Sequence, residues 1–167
     1  WLVAVARRFA EAEVPHVWHP PTGQGVRTRS SADFRWLPYA VQAYVTVTGD
    51  HAVLEELVPY LAAPPLAAGQ GEAFVNAVPA QPPGTLYEHC LRALDHGLRF
   101  GAHGLPLMGA GDWNDGMNHG GRGGQGESIW VGWFLLSSLK TFGPLAAELG
   151  CPTASERYRA VVGPLPA

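Results

Sequence analysis

Ser128-Ile129-Trp130-Val131-Gly132-Trp133-Phe134-Leu135-Leu136-Ser137-Ser138-Leu139-Lys140-Thr141-Phe142 is the most apolar run of the chain, and its reading decides the expected fold. Ser128 is a helix cap, and an apolar helix is predicted from Ile129 to about Phe142, with Trp130 and Trp133 on its core side. The segment from Ile129 to Leu139 is too short to cross a bilayer and is broken by Gly132, Ser137 and Ser138. Upstream, Thr85 and Glu88 have the spacing of a capping box, which predicts a helix from Leu86 to about Phe100. Asp33 can cap a helix ending near Thr48, where Gly49 stops it. Asp50 can cap another through Leu54 and Leu57 to about Leu61, bent or shortened at Pro59. Leu2, Val5, Ala6 and Phe9 give Trp1 to Glu13 a helical period, and a short helix is expected after Ser155. Residues 15–32 and 63–84, rich in proline and glycine, read as loops. No strand of ordinary length is convincing. The expectation is therefore all-α: helix pairs with polar material in their connecting loops, as in part of an α/α barrel or toroid with a site at one rim.

The most polar connection is Gly111-Asp112-Trp113-Asn114-Asp115-Gly116-Met117-Asn118. Two carboxylates, two carboxamides and an indole fall within one short glycine-bracketed loop. Hydroxyls of a sugar exchange hydrogen bonds with such groups, and the sugar's C–H face stacks on a ring. Asn-Asp-Gly is equally a common turn, and both readings stand on residue chemistry alone. The turn reading leaves Trp113 unexplained, along with the short apolar segment Leu105-Pro106-Leu107-Met108 that leads into the loop. A calcium loop is disfavoured, because Gly116 is fifth from Asp112 and Trp113 interrupts the acids.

The chain has 167 residues, enough for one domain with a core, and a net charge of −3, which argues against a nucleic-acid footprint. Only 15% of residues are charged, while 6 Trp, 21 Gly and 15 Pro make it aromatic- and loop-rich. Cys90 and Cys151 lack metal or redox spacing and read as free thiols, which leans toward a reducing compartment. The scattered histidines (His16, His19, His89, His96, His103, His119) show no zinc-motif spacing and read as structural or surface groups. Glu88 is read as a capping residue first. Arg27 and Arg29 are either loop salt-bridge partners or site residues, and Trp18 and Trp36 either core or sugar platform.

Several separated stretches carry a resemblance, in order. They are His19-Pro20-Pro21-Thr22-Gly23-Gln24-Gly25-Val26-Arg27-Thr28-Arg29, Asp33, Trp36-Leu37-Pro38-Tyr39, Leu86-Tyr87-Glu88-His89-Cys90, His103-Gly104-Leu105-Pro106-Leu107, the Gly111–Asn118 loop, and Gly126-Glu127-Ser128. Together they resemble the phosphorylase-type catalytic domain of glycoside hydrolase family 94, formerly glycosyltransferase family 36. Within it they are most similar to the carboxy-terminal domain of cyclic β-1,2-glucan synthases. The resemblance runs over roughly residues 1–150 and implies a six-hairpin α/α barrel, of which residues 1–167 would be a single partial catalytic domain truncated at both ends. An incomplete barrel of that kind would leave apolar helix faces uncovered.

The implied activity is inverting phosphorolysis or transfer at β-glucosidic bonds, with Asp115 as general acid. One protein carboxyl suffices, because phosphate replaces both the water and its activating base. Trp113 would line the donor-sugar site, Asp112 and Asn114 would bind substrate beside it, Arg29 and Asp33 would help shape the sugar subsites, and Glu127 would stand near the acceptor side. The implied partners are a β-glucan oligosaccharide, inorganic phosphate as co-substrate and the remainder of the parent barrel. No cofactor, metal or nucleic acid is implied. The parent synthases are inner-membrane proteins, and this segment would lie on the cytoplasmic side without entering the membrane. Two departures stand out. Ala32 precedes Asp33 where the family usually has an acid. The family's phosphate-binding His and Thr-Gly elements lie after this stretch and its sugar-gripping Arg-Asp motif before it, so the segment alone is expected to be inactive. Two other readings remain: an inverting hydrolase on the same scaffold, with a carboxylate such as Glu127 as base, and a non-catalytic glucan-binding module.

Overall fold

The computed structural model describes residues 2, 6, 8–9, 13–19, 22–114, 119–120 and 122–163. Among these residues four α-helices and five strands follow one another: β1 (Pro15–His19), β2 (Gln24–Thr28), α1 (Asp33–Thr48), β3 (Leu57–Ala62), β4 (Glu72–Asn76), β5 (Val78–Thr85), α2 (Leu86–His96), α3 (Ile129–Glu148) and α4 (Pro152–Val162). A short 3-10 turn at Ala52–Glu55 precedes β3. The strands form two antiparallel sheets, a three-stranded one in the order β1-β2-β4 and a β3-β5 ribbon.

This corrects the all-α expectation: the chain is mixed α and β. The corrections fall where proline masked strand character. β5 carries Pro79, Pro82 and Pro83, and β3 carries Pro59. A two-stranded ribbon is all edge, so proline's missing N–H costs no ladder bond on an open side. Pro59 sits where the β3-β5 register shifts, between Val58 and Tyr60. The Leu54, Leu57 and Leu61 spacing read as helical belongs instead to a 3-10 turn and a strand. Pro15–His19 and Gln24–Thr28, read as loop, are a hairpin. The helix expected over Trp1–Glu13 lies largely outside the described residues. Where it is described, Phe9 forms a parallel bridge with Leu61, so no helix continues through it.

The helices follow the sequence more closely. Thr85 and Glu88 make a full capping box on α2, which stops at His96 rather than Phe100. Ser128 caps α3 by accepting the Val131 N–H, and α3 runs on through Pro144 to Glu148. Gly49, left-handed at φ 69°, ends α1. Asp33 is that helix's first residue rather than its cap, with Ala32 in the cap position. Leu37, Val41, Leu86, Cys90, Leu94, Leu135, Leu139, Phe142 and Tyr158 form the main core between the four helices. Phe9, Leu61, Val75 and Ala77 form a smaller one at the sheets, with Trp18 packed against it. Cys90 is buried and Cys151 half-buried, and both are free thiols; burial pushes the Cys90 thiol up to about 12. Among the described residues no helix is long and apolar enough to cross a membrane.

Candidate functional site

Two segments far apart in sequence are zipped together to build the site. The Ser31 N–H donates to the carbonyls of Met108 (3.1 Å) and Gly111 (3.3 Å), and the Ala110 N–H donates to the Arg29 carbonyl (3.1 Å). The Ser30 hydroxyl adds a bond to the Gly111 carbonyl at 3.1 Å. The base of the 109–125 loop is closed from its other side, where the Met108 N–H donates to Gly126 (2.9 Å) and the Ser128 N–H to Pro106 (3.1 Å). These bonds set the start of α1, the polar loop and the start of α3 side by side.

The result is a cleft of about 410 Å³ lined by His16, Ala32, Asp33, Trp36, Asp112, Trp113 and Trp130. Its volume falls in the range of small-molecule sites. Asp112 is 8% exposed, with one hydrogen bond on each carboxylate oxygen. Its Oδ2 accepts from the Ser128 hydroxyl at 2.9 Å and its Oδ1 from the Asn114 N–H at 3.0 Å. Ser128 therefore serves twice, because its hydroxyl oxygen also accepts the Val131 N–H. A carboxylate anchored through a helix cap gains from the N-terminal dipole as well. The Asp112–Asn114 bond is an Asx-turn, so the turn reading and the site reading describe the same residues. Ser128→Ala removes cap and anchor together. We expect it to cost about 1–2 kcal/mol in urea unfolding, more than a solvent-facing serine.

Across the cleft, Asp33 Oδ2 accepts from the Thr28 hydroxyl (3.3 Å) and pairs with His16 Nδ1 (3.0 Å). His16 is brought there by a bulge, since the β1-β2 register shifts between Pro15 and Val17. An extra residue at a bulge re-aims its side chain, and alternation along β1 could not have revealed it. Trp113 is 62% exposed and its ring lies 6.2 Å from that of Trp130. Trp130 was expected in the core; it is half-buried and faces the cleft.

Asp33, Asp112 and Trp113 thus share one cleft, with Asn114 at its exposed margin. Asp115 lies outside the described residues, as do Gly116, Met117 and Asn118. Arg29 is elsewhere. It lines a larger neighbouring cavity of about 830 Å³ with Glu72, His96 and Arg99, and donates to the Leu66 (3.1 Å) and Ala67 (3.2 Å) carbonyls. Arg27 is a structural clamp, paired with Glu13 and lying 4.1 Å over the Phe9 ring. Arg35 is wholly buried, donating to the Ser31 and Gly97 carbonyls; burial pushes it down to about 9, and nearby Arg99 adds to the shift. Burial pushes the His89 imidazole below its usual range; its Nε2 donates to the Val58 carbonyl (2.9 Å), and the ring stacks on Tyr60.

Glu127 does not line the cleft. Its Oε1 accepts from the His103 N–H at 2.9 Å, and that bond first of all holds its carboxyl below the ordinary carboxylate range. A depressed folded pKa means that this tie contributes stability above the unfolded carboxylate value, and loses it as pH falls through the lower folded value. Glu127→Gln is expected to flatten that acid-side decline in denaturant unfolding measured across pH. An unchanged slope would show that the tie contributes nothing.

Among the described residues, no group of three His, Cys, Asp or Glu side chains gathers to hold a metal. What the cleft offers is fixed carboxylates and open indole faces, the equipment for holding a hydroxyl-rich ring. Residues 1–165 match the model of the glycosyl hydrolase 94 superfamily catalytic domain, and the chain belongs to that family. It is 49% identical over 146 residues to the cyclic beta-(1,2)-glucan synthase NdvB of Rhizobium meliloti, covering 87% of this chain and 5% of that protein. It is 37% identical over 115 residues to the solabiose phosphorylase of Paenibacillus borealis, covering 68% and 13%. It is 29% identical over 138 residues to the N,N'-diacetylchitobiose phosphorylase of Vibrio furnissii, covering 82% and 14%. The chain therefore spans less than a fifth of the length of each of these relatives.

Proposed function

We propose that this chain supplies the acid and part of the sugar cleft of a phosphorylase-type enzyme that cleaves β-glucosidic bonds with inversion, with β-1,2-glucan as substrate class. The observation that carries the reading is the anchoring of Asp112 by Ser128 and Asn114 beside the open Trp113 indole. This fixes the root of the loop three residues before Asp115. Family membership and the names of the relatives support the substrate class.

In this mechanism Asp115 gives its proton to the departing glycosidic oxygen as the bond from that oxygen to C1 breaks. A phosphate oxygen bonds to C1 from the opposite face, so a β-glucoside yields α-glucose 1-phosphate. Trp113 stacks on the donor ring, while Asp33 and Asp112 accept from its hydroxyls. Asp115 has to hold its proton at neutral pH, and the negative charge of bound phosphate favours that form. Glu127 is not among the residues lining the cleft, which gives no support to a hydrolytic base there. The test is incubation of the full-length protein with a β-1,2-gluco-oligosaccharide, with and without phosphate. Phosphate-dependent release of α-glucose 1-phosphate is expected. Phosphate-independent release of glucose would instead mark a hydrolase.

A further inference from the structure

Both side-chain donors that reach the Asp33 carboxylate fall on the same oxygen. His16 Nδ1 lies 3.0 Å from Oδ2, and the Thr28 hydroxyl lies 3.3 Å from that atom. The Thr28 oxygen also accepts the Ser30 N–H at 3.2 Å, which leaves its one proton for Asp33. Oδ1 has no hydrogen-bond partner among the described residues. The side chain is 15% exposed, on the wall of the cleft.

The backbone of Asp33 is fixed as the first residue of α1. That alone does not aim its carboxylate, because the last torsion of an aspartate is broad. Two donors on Oδ2 hold the carboxylate plane and leave Oδ1 to a ligand hydroxyl, which a carboxylate oxygen can only accept from. Thr28 comes from the end of β2. His16 comes from β1, as the residue left over at its bulge: Pro15 pairs with Arg27 and Val17 with Val26, so His16 faces no partner across the ladder. A bulge re-aims the extra side chain, and here it reaches out of the hairpin to the start of a helix.

We propose that His16 is a positioning residue: with Thr28 it holds Oδ2 of Asp33 so that Oδ1 accepts a hydroxyl of the bound sugar. The inference rests on the function proposed above and deepens it. His16 acts through Asp33 and needs no contact of its own with the reacting atoms.

The test is phosphorolysis of a β-1,2-gluco-oligosaccharide by the full-length protein at saturating phosphate. His16→Ala is expected to raise KM for the glucan about tenfold and to leave kcat within about twofold, the pattern of a contact made equally in the ground and transition states. Asparagine carries an amide N–H close to the place of Nδ1, whereas glutamine carries it near Nε2. His16→Asn should therefore recover most of the affinity, and His16→Gln should behave like His16→Ala. In an Asp33→Ala background, replacing His16 should raise KM no further, because the carboxylate it holds is gone. A residue that merely fastens the hairpin to α1 would instead give independent losses in the double variant and no difference between asparagine and glutamine. Either result, or a wild-type KM in His16→Ala, overturns the inference and leaves the proposed function standing. If circular dichroism shows His16→Ala to be unfolded, the comparison of His16→Asn with His16→Gln decides. A wild-type protein that neither binds nor cleaves the glucan overturns both.

Discussion

Asp115→Asn in the full-length protein is expected to lower phosphorolysis of a β-glucan oligosaccharide by about 10²- to 10⁴-fold, the usual contribution of a general acid. Asparagine keeps the size and polarity of the side chain but has no proton to give. The fold should therefore be preserved, and so should sugar affinity, since the proposed mechanism assigns the stacking and hydroxyl contacts to Trp113, Asp33 and Asp112. A β-glucoside with a nitrophenolate leaving group separates acid loss from structural damage. Such a group departs without a proton, so the variant should process it at close to the wild-type rate. Equal loss on both substrates would point to a positioning role, and a variant retaining most of its rate on the natural glucan would reject Asp115 as the acid.

Gly109→Ala carries the largest expected effect on stability. Gly109 has φ +67°, and a Cβ there would run into the Arg29 carbonyl. That carbonyl accepts the Ala110 N–H, and Ser30 bridges to Gly109 itself. One methyl group therefore meets left-handed strain and a backbone collision at the seam that joins the two halves of the site. The loss should be at least about 3 kcal/mol in denaturant unfolding. Gly104 is the control: its φ is +77°, with nothing within 4 Å of an added Cβ. Gly104→Ala should cost only the left-handed term, about 1–2 kcal/mol. In Gly109→Ala protein that still folds, sugar binding should fall as well, because Asp33 and Asp112 reach one cleft only through this seam. Equal destabilisation by the two substitutions would mean that the seam yields easily.

The contrast between these glycines shows what the chain does and does not disclose in one dimension. Helix signals are local: a hydroxyl at the cap, an acid three residues on, a glycine after the last turn. α1, α2 and α3 were accordingly legible at Asp33, Thr85 and Ser128 to within a residue at their starts. Strand signals depend on a partner. Leu57–Ala62 and Val78–Thr85 pair only with each other, and prolines inside both disguised them as helix and loop. That is why the all-α expectation failed. The site divides along the same line. Asp112, Trp113 and Asn114 are neighbours in sequence and stand out as a group. His16 enters through a register shift, Ser128 through a second use of a cap hydroxyl, and Trp130 through the opening beside α1. None of these has a local signature. Arg29, grouped with the site from sequence, turns to carbonyls at Leu66 and Ala67 on another cavity.

The most direct measurement is a crystal structure of the full-length protein, with Asp115→Asn slowing turnover, soaked with a β-1,2-gluco-oligosaccharide. The account predicts a sugar ring stacked on Trp113 within the cleft of Asp33 and Asp112, and the side chain at position 115 about 3 Å from the glycosidic oxygen. A glucan bound elsewhere, or a residue 115 turned away from that oxygen with the cleft occupied, would contradict it.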